Sequence, residues 1–127
     1  MSLLSGLMGN ASEVKLDQIQ EEFAPLLIPG EELQRAYRVM RDMMVFSNKR
    51  LILVDKQGVT GKKREYLSIP YDSVTRFSKE SMGLMDLDAE LKIWIRGESL
   101  PISKTFNKDG NVNEVYQVLA YYVLGAS

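Results

Sequence analysis

A chain of 127 residues with 45% hydrophobic and 26% charged residues has the composition of a single globular domain. Its size is enough to bury a core without covalent staples. It contains no cysteine and no histidine, which excludes disulfides, thiolate metal sites and the commonest general base and metal ligand. The lack of cysteine fits a reducing cytoplasm, the expected location.

The net charge of −1 argues against nucleic acid as a partner, but the charge is unevenly spread. Residues 1–34 hold one lysine against six acids, and residues 65–127 hold six cations against nine acids. Residues 35–64 between them carry nine Lys/Arg against two aspartates, a cationic middle that suits either a binding face or internal charge balance. No run of about 18 apolar residues is present to span a bilayer. Residues 1–12 lack the positive start and long apolar run of a signal peptide. Leu3, Leu4, Leu7 and Met8 fall on one stripe if that segment is helical, although two glycines weaken such a helix.

In chain order, Ser12 to Phe23 reads as a helix, with Ser12 as cap and Leu16, Ile19 and Phe23 at helical spacing. Pro25 and Pro29-Gly30 are expected to stop it. From Leu33 the period becomes that of strands: Gln34 to Arg41, Met43 to Ser47, Leu51 to Lys56, Glu65 to Pro70 and Val74 to Ser81. The run Leu51-Ile52-Leu53-Val54 predicts a strand buried on both faces or nearly so. Asp88 to Arg96 alternates strictly, with Leu87, Ala89, Leu91, Ile93 and Ile95 on one face and Asp88, Glu90, Lys92, Trp94 and Arg96 on the other. Gly97-Glu98 turns into a seventh strand, Leu100 to Lys104. A final helix, Asn111 to Leu124, carries capping-box spacing at Asn111 and Glu114 and an apolar stripe of Val112, Val115, Tyr116, Leu119 and Val123.

The densest block of signals runs from Phe46 to Tyr71: Asn48-Lys49-Arg50-Leu51-Ile52-Leu53, Asp55, Gln57-Gly58, Thr60-Gly61-Lys62-Lys63, Tyr66 and Ser68-Ile69-Pro70-Tyr71. This block, the strand Glu90 to Ile95 and the C-terminal helix resemble the bacterial pleckstrin-homology-like domains, over roughly residues 30–124. The resemblance implies a mainly β fold of about seven antiparallel strands in two near-orthogonal sheets, plugged by the C-terminal helix. Residues 1–30 then read as an accessory tail and helix, and 31–127 as the domain. It also implies a non-enzymatic module that closes into a cyclic homo-oligomer, a pentamer among single-domain members, with a polar surface for another protein.

Catalytic chemistry is thin. Glu21-Glu22, Glu31-Glu32 and Asp86/Asp88/Glu90 pair carboxylates on turns or wet faces, and cross-strand pairing of the last group with Lys92 and Arg96 is a simpler account than a metal. Gly58 to Lys63 has the wrong spacing for a phosphate loop and precedes a strand. No enzyme, cofactor or metal is therefore expected.

The candidate interaction surface is Arg41, Lys49, Arg50, Lys62, Lys63, Arg64, Lys92, Trp94 and Arg96. If the strands after Arg50 and Lys63 pair as a hairpin, Lys49-Arg50 and Lys62-Lys63-Arg64 are expected to meet at one end or edge of the sheet. Eukaryotic pleckstrin-homology domains hold phosphoinositides with Lys…(Lys/Arg)-x-Arg at the first loop. Here Lys56 and Lys62-x-Arg64 sit one hairpin later, and the first loop holds Asp42. Binding of anionic lipid headgroups is thus the alternative to a protein partner. Trp94, set among charges, reads as an interface anchor. The competing readings are cover by the N-terminal helix or simple shielding of the ladder.

Overall fold

The computed structural model describes residues 12–81, 88–107 and 111–125. Leu3, Leu4, Leu7, Met8, Asp86 and Leu87, singled out above, lie outside the described residues. The chain forms two compact units, one of residues 13–70 and one that groups Ser12 with the chain from Tyr71 onward.

The first unit is a four-stranded antiparallel meander in the order β1 (Leu33–Val39), β2 (Asp42–Ser47), β3 (Arg50–Gln57) and β4 (Lys63–Pro70). Cross-strand partners such as Val45↔Ile52 and Met44↔Leu53 put two apolar sets on opposite faces. Ala36, Met43, Val45, Ile52 and Val54 share a core cluster with Val14, Ile19 and Phe23 from the preceding segment. Tyr37, Met44, Phe46, Leu51, Leu53 and Ile69, on the opposite face, are buried as well. Both faces being covered explains why β2 and β3 read as continuous apolar runs rather than alternating ones. Each fully buried leucine or isoleucine here contributes about 1.5–3 kcal/mol.

The segment before β1 differs from the single helix expected over Ser12 to Phe23. Val14 N–H donates to the Ala36 carbonyl at 2.8 Å, and Glu13 bridges Tyr37, so the chain starts as a short extension of the sheet. Three brief turns follow: a 3-10 turn Leu16–Gln18, helix α1 (Gln20–Phe23) and a second 3-10 turn Ala24–Leu26. The α-helix ends at Phe23, two residues before Pro25 as expected, and Pro25 sits inside the 3-10 turn that follows, where its missing N–H is not needed. Phe23 is fully buried and meets the Tyr66 ring edge-on at 5.7 Å.

Two hairpin tips of the first unit carry positive φ. Met40, between β1 and β2, is held at +58° although it is not glycine. The β3–β4 turn uses Gly58 and Gly61 at +78° and +69°, values that cost a side chain but not a glycine.

The second unit contains β5 (Val74–Ser81), β6 (Asp88–Ile95) and β7 (Ile102–Asn107), antiparallel and in that order, and helix α2 (Val112–Leu124). Leu91, Ile93 and Phe106 are buried, as the alternation predicts. In α2 only Val115 and Leu119 are buried, a narrower stripe than the sequence suggests. Phe77 of β5 packs on Tyr116 at 5.3 Å, and Tyr122 stacks on Tyr71 at 4.8 Å and 12°. Asn111 makes no cap bond with its side chain; its Nδ2 instead donates to Glu114 Oε1 at 3.0 Å.

Candidate interaction surface

The register of β3 with β4 separates the two cation clusters. Arg50 faces Pro70 and Gln57 faces Lys63, so Lys49-Arg50 and Lys62-Lys63 stand at opposite ends of the hairpin. Seven strand steps put roughly 23 Å between them. The expectation that they converge is corrected by the antiparallel pairing itself: one cluster precedes β3 and the other precedes β4, so they take opposite ends.

Arg50 is not a surface cation. Its Nε donates to Glu31 Oε2 at 2.8 Å, its Nη2 to Glu31 Oε1 at 2.9 Å and to the Leu26 carbonyl at 2.6 Å, and its Nη1 to Ser68 Oγ at 2.9 Å. The Glu31 side chain is fully buried. It also accepts from Ser47 Oγ at 2.6 Å and from the Ile28 N–H at 3.1 Å. The hydrogen bonds from Arg50 outweigh burial and hold the Glu31 carboxyl at about 2, below its usual 4.5. Glu31 in turn raises the Arg50 pKa further. Arg50 thus ties the segment before β1, the β2–β3 turn and β4 together.

Arg64 is likewise engaged. Its Nη1 donates to Glu22 Oε2 at 2.7 Å, and the Tyr66 hydroxyl donates to the same oxygen. Burial first, and the bond to Glu22 second, raise the Tyr66 pKa above the usual tyrosine value. Arg41, on the β1–β2 tip, donates from Nη2 to the Gly58 carbonyl at 2.6 Å and so fastens that tip to the β3–β4 turn. Asp42 is used internally too, accepting the Lys56 N–H at 2.9 Å.

Lys49, Lys62 and Lys63 are exposed, and among the described residues their ammonium groups have no ion-pair partner. Val59, on the tip beside Lys62, is fully exposed.

On the second sheet, Arg76 faces Trp94 across β5–β6 and lays its guanidinium over the indole at 4.5 Å. Trp94 is half-buried and Arg76 exposed. Lys92 stands between Glu80 at 3.5 Å and Glu90 at 3.8 Å. Arg96 donates to the Asp72 carbonyl. Lys92 thus pairs along its own strand with Glu90, while its cross-strand partner is Glu80 rather than the acids foreseen, and the Arg76 partner of Trp94 escaped the sequence reading as well. Its only signal is register, which links residues 18 apart in the chain.

β4 is the terminal strand of its sheet, and Lys63, Arg64, Glu65, Leu67, Ser68 and Pro70 along it are exposed. Leu67 shows 40% of its surface. No helix among the described residues is long and apolar enough to cross a membrane, and no group of His, Asp or Glu there has the geometry of a metal site.

Known proteins agree with this architecture. The chain is 53% identical over 121 residues to the uncharacterized protein YjqA of Bacillus subtilis (strain 168), covering 94% of this chain and 97% of that one. A pleckstrin homology domain from Shewanella amazonensis SB2B superposes with a TM-score of 0.85 at 49% identity, covering 98% of this chain and all of that one. A pleckstrin-homology protein from Shewanella loihica PV-4 gives 0.79 at 50% identity, over 91% of this chain and 99% of its own. None of these names carries an enzymatic activity. With seven antiparallel strands in two sheets, a short N-terminal helical region and a closing helix, and with the family model matched from residue 2 to 123, the chain belongs to the bacterial PH domain family.

Proposed function

We propose that this chain is a non-enzymatic interaction module that assembles into a cyclic homo-oligomer through its sheet edges and presents a polar face to another protein. The observation that carries the reading is β4, an eight-residue terminal strand exposed along most of its length, with Leu67 open to solvent. Such an edge offers unpaired backbone groups to a neighbouring chain. Lys63 and Pro70 blunt its ends and so direct pairing to its centre. A ring needs a heterologous contact, in which β4 of one subunit meets a different edge of the next, with a rotation that closes. Five subunits is the number the family resemblance implies. The Arg76–Trp94 pair suits the polar face, because Trp and Arg dominate binding energy at interfaces.

Light scattering at micromolar concentration tests the assembly. The expected mass is a multiple of 14.4 kDa, about fivefold, and Leu67→Lys should shift it toward the monomer with unchanged circular dichroism. Monomer mass alone for the wild type overturns the ring.

A second reading, a peripheral membrane module for anionic lipid, draws support from Val59 beside the unpaired Lys62 and Lys63. It ranks lower because Arg41, Arg50 and Arg64 are already committed within the fold.

A further inference from the structure

Met40 and Arg41 form the two-residue loop between the paired Val39 and Asp42. Of the two only Met40 has a positive φ, at the first central position of a primed turn, which glycine normally fills. A methionine held there is strained, and its side chain stands 61% exposed. Strain that holds an apolar side chain in solvent rather than in the core points to a contact role. The β3–β4 tip also carries an uncovered apolar side chain, the fully exposed Val59. The two tips are joined: Arg41 Nη2 donates to the Gly58 carbonyl at 2.6 Å, and that carbonyl also accepts the Gly61 N–H at 3.3 Å. Gly61 leaves room for the clasp, since a Cβ there would stand 3.4 Å from Arg41 Nη2. Met40 and Val59 therefore ride on one pre-ordered end of the sheet, not on two independent loops.

Register gives this end of the sheet two unlike faces. Arg38 lies in the row of Met43, Val54 and Tyr66, and the next row holds Lys56 and Arg64. Asp42, Asp55 and Glu65 alternate with these and so take the opposite face. Glu22 holds Arg64, but among the described residues Arg38, Lys56 and Lys62 have no ion-pair partner, and Arg38 and Lys62 are exposed. Free cations beside uncovered apolar side chains are complementary to a ligand that brings carboxylates and apolar groups together. A bilayer closing on this end would also meet the carboxylate face, where Asp55 and Glu65 stand directly opposite each other, and an anionic surface repels them. A narrow segment laid on the Arg38 face avoids them.

We propose that the joined β1–β2 and β3–β4 tips dock an acidic segment of another protein, whose carboxylates meet Arg38, Lys56 and Lys62 while its apolar side chains cover Met40 and Val59. The proposal rests on the reading of the chain as a protein-interaction module, but not on its assembly into a ring. It also gives Met40 a role: the residue trades some stability of its turn for an apolar contact that glycine could not make.

The test uses the full-length chain as bait for random peptides displayed on phage. Enriched sequences should combine Asp or Glu with Leu, Ile, Phe or Met. A synthetic peptide of the most enriched sequence is then titrated by fluorescence anisotropy. Met40→Gly with Val59→Ser, and separately Arg38→Glu with Lys62→Glu, should each raise its Kd about tenfold or more. Glu65→Gln, on the opposite face, should leave it unchanged. Met40→Gly alone should raise the urea midpoint while weakening the peptide, a combination that a purely structural residue does not give. No enrichment, enrichment without acids, or equal binding by the tip variants overturns the proposal. Salt-sensitive co-sedimentation of the wild type with phosphatidylserine-containing liposomes, lost in the tip variants, also overturns it and assigns the tips to a bilayer. A fall in solution mass for Met40→Gly with Val59→Ser overturns it too and assigns them to a second copy. A monomeric wild type that still selects acidic peptides overturns the ring and leaves this docking site standing.

Discussion

Arg50 grips Glu31 with both prongs of its guanidinium, Nε on Oε2 at 2.8 Å and Nη2 on Oε1 at 2.9 Å, across 19 residues of chain. Bidentate geometry of this kind is what distinguishes arginine from lysine. The Glu31 side chain is wholly buried, so the arginine is what keeps its charge tolerable there.

Removing the cation should therefore be costly. Arg50→Ala leaves a buried carboxylate unpaired, and its expected cost is about 3–5 kcal/mol in urea denaturation. Arg50→Lys keeps the charge but loses the fork, and should cost about 1–3 kcal/mol. A loss below about 1 kcal/mol for Arg50→Ala would show that the grip contributes little to stability.

Acid should release the same grip. The folded Glu31 titrates near 2, the unfolded one near 4.5. Between those values the unfolded chain binds more protons than the folded one, so stability falls as pH falls. The contribution is fully present above pH 4.5 and lost as pH drops through about 2. Its size is on the order of 3 kcal/mol. The stability gap between wild type and Glu31→Gln should be widest near neutral pH and narrow across this window. A gap of constant width from pH 5 to 2 would rule the linkage out.

The C-terminal helix gives the third prediction. Leu119 is completely buried, and Leu119→Ala should cost about 2–5 kcal/mol by transfer and cavity terms together. Tyr121→Ser, on the exposed face, should change the stability of this face less than that. A Leu119→Ala effect under about 0.5 kcal/mol would mean the helix is not docked through this residue.

Strand existence was legible in the sequence because it rests on local pattern. Leu51 to Val54 announced a strand covered on both faces, and Leu91 and Ile93 a strand covered on one. The N-terminal helix was misread because Leu16, Ile19 and Phe23 do face a core, yet Val14 is captured by the Ala36 carbonyl and the helix is cut short. The cations were harder still. Nothing local shows that Arg50 seeks Glu31, that Arg64 seeks Glu22, or that Arg76 covers Trp94. Each depends on register or on the path of a loop, and a one-residue slip would undo it.

The unpaired lysines decide between the protein and membrane readings. If Lys62 and Lys63 face an anionic bilayer, each contributes about 1 kcal/mol near the surface, and salt weakens the contact steeply. Lys62→Glu with Lys63→Glu would then abolish vesicle binding. If they face a protein or a neighbouring subunit, the wild type ignores vesicles, and the double reversal disturbs the ring or a captured partner with the fold intact. Both lysines are exposed and free of ion pairs among the described residues, so their reversal should leave the urea midpoint nearly unchanged. The expected result at physiological ionic strength is no co-sedimentation with phosphatidylserine-containing liposomes. The net charge of −1 opposes it, and of the nearby arginines Arg41 and Arg64 already hold Gly58 and Glu22. Robust, salt-sensitive co-sedimentation of the wild type that the double reversal removes would reverse this ordering and make the β3–β4 tip a lipid-facing element.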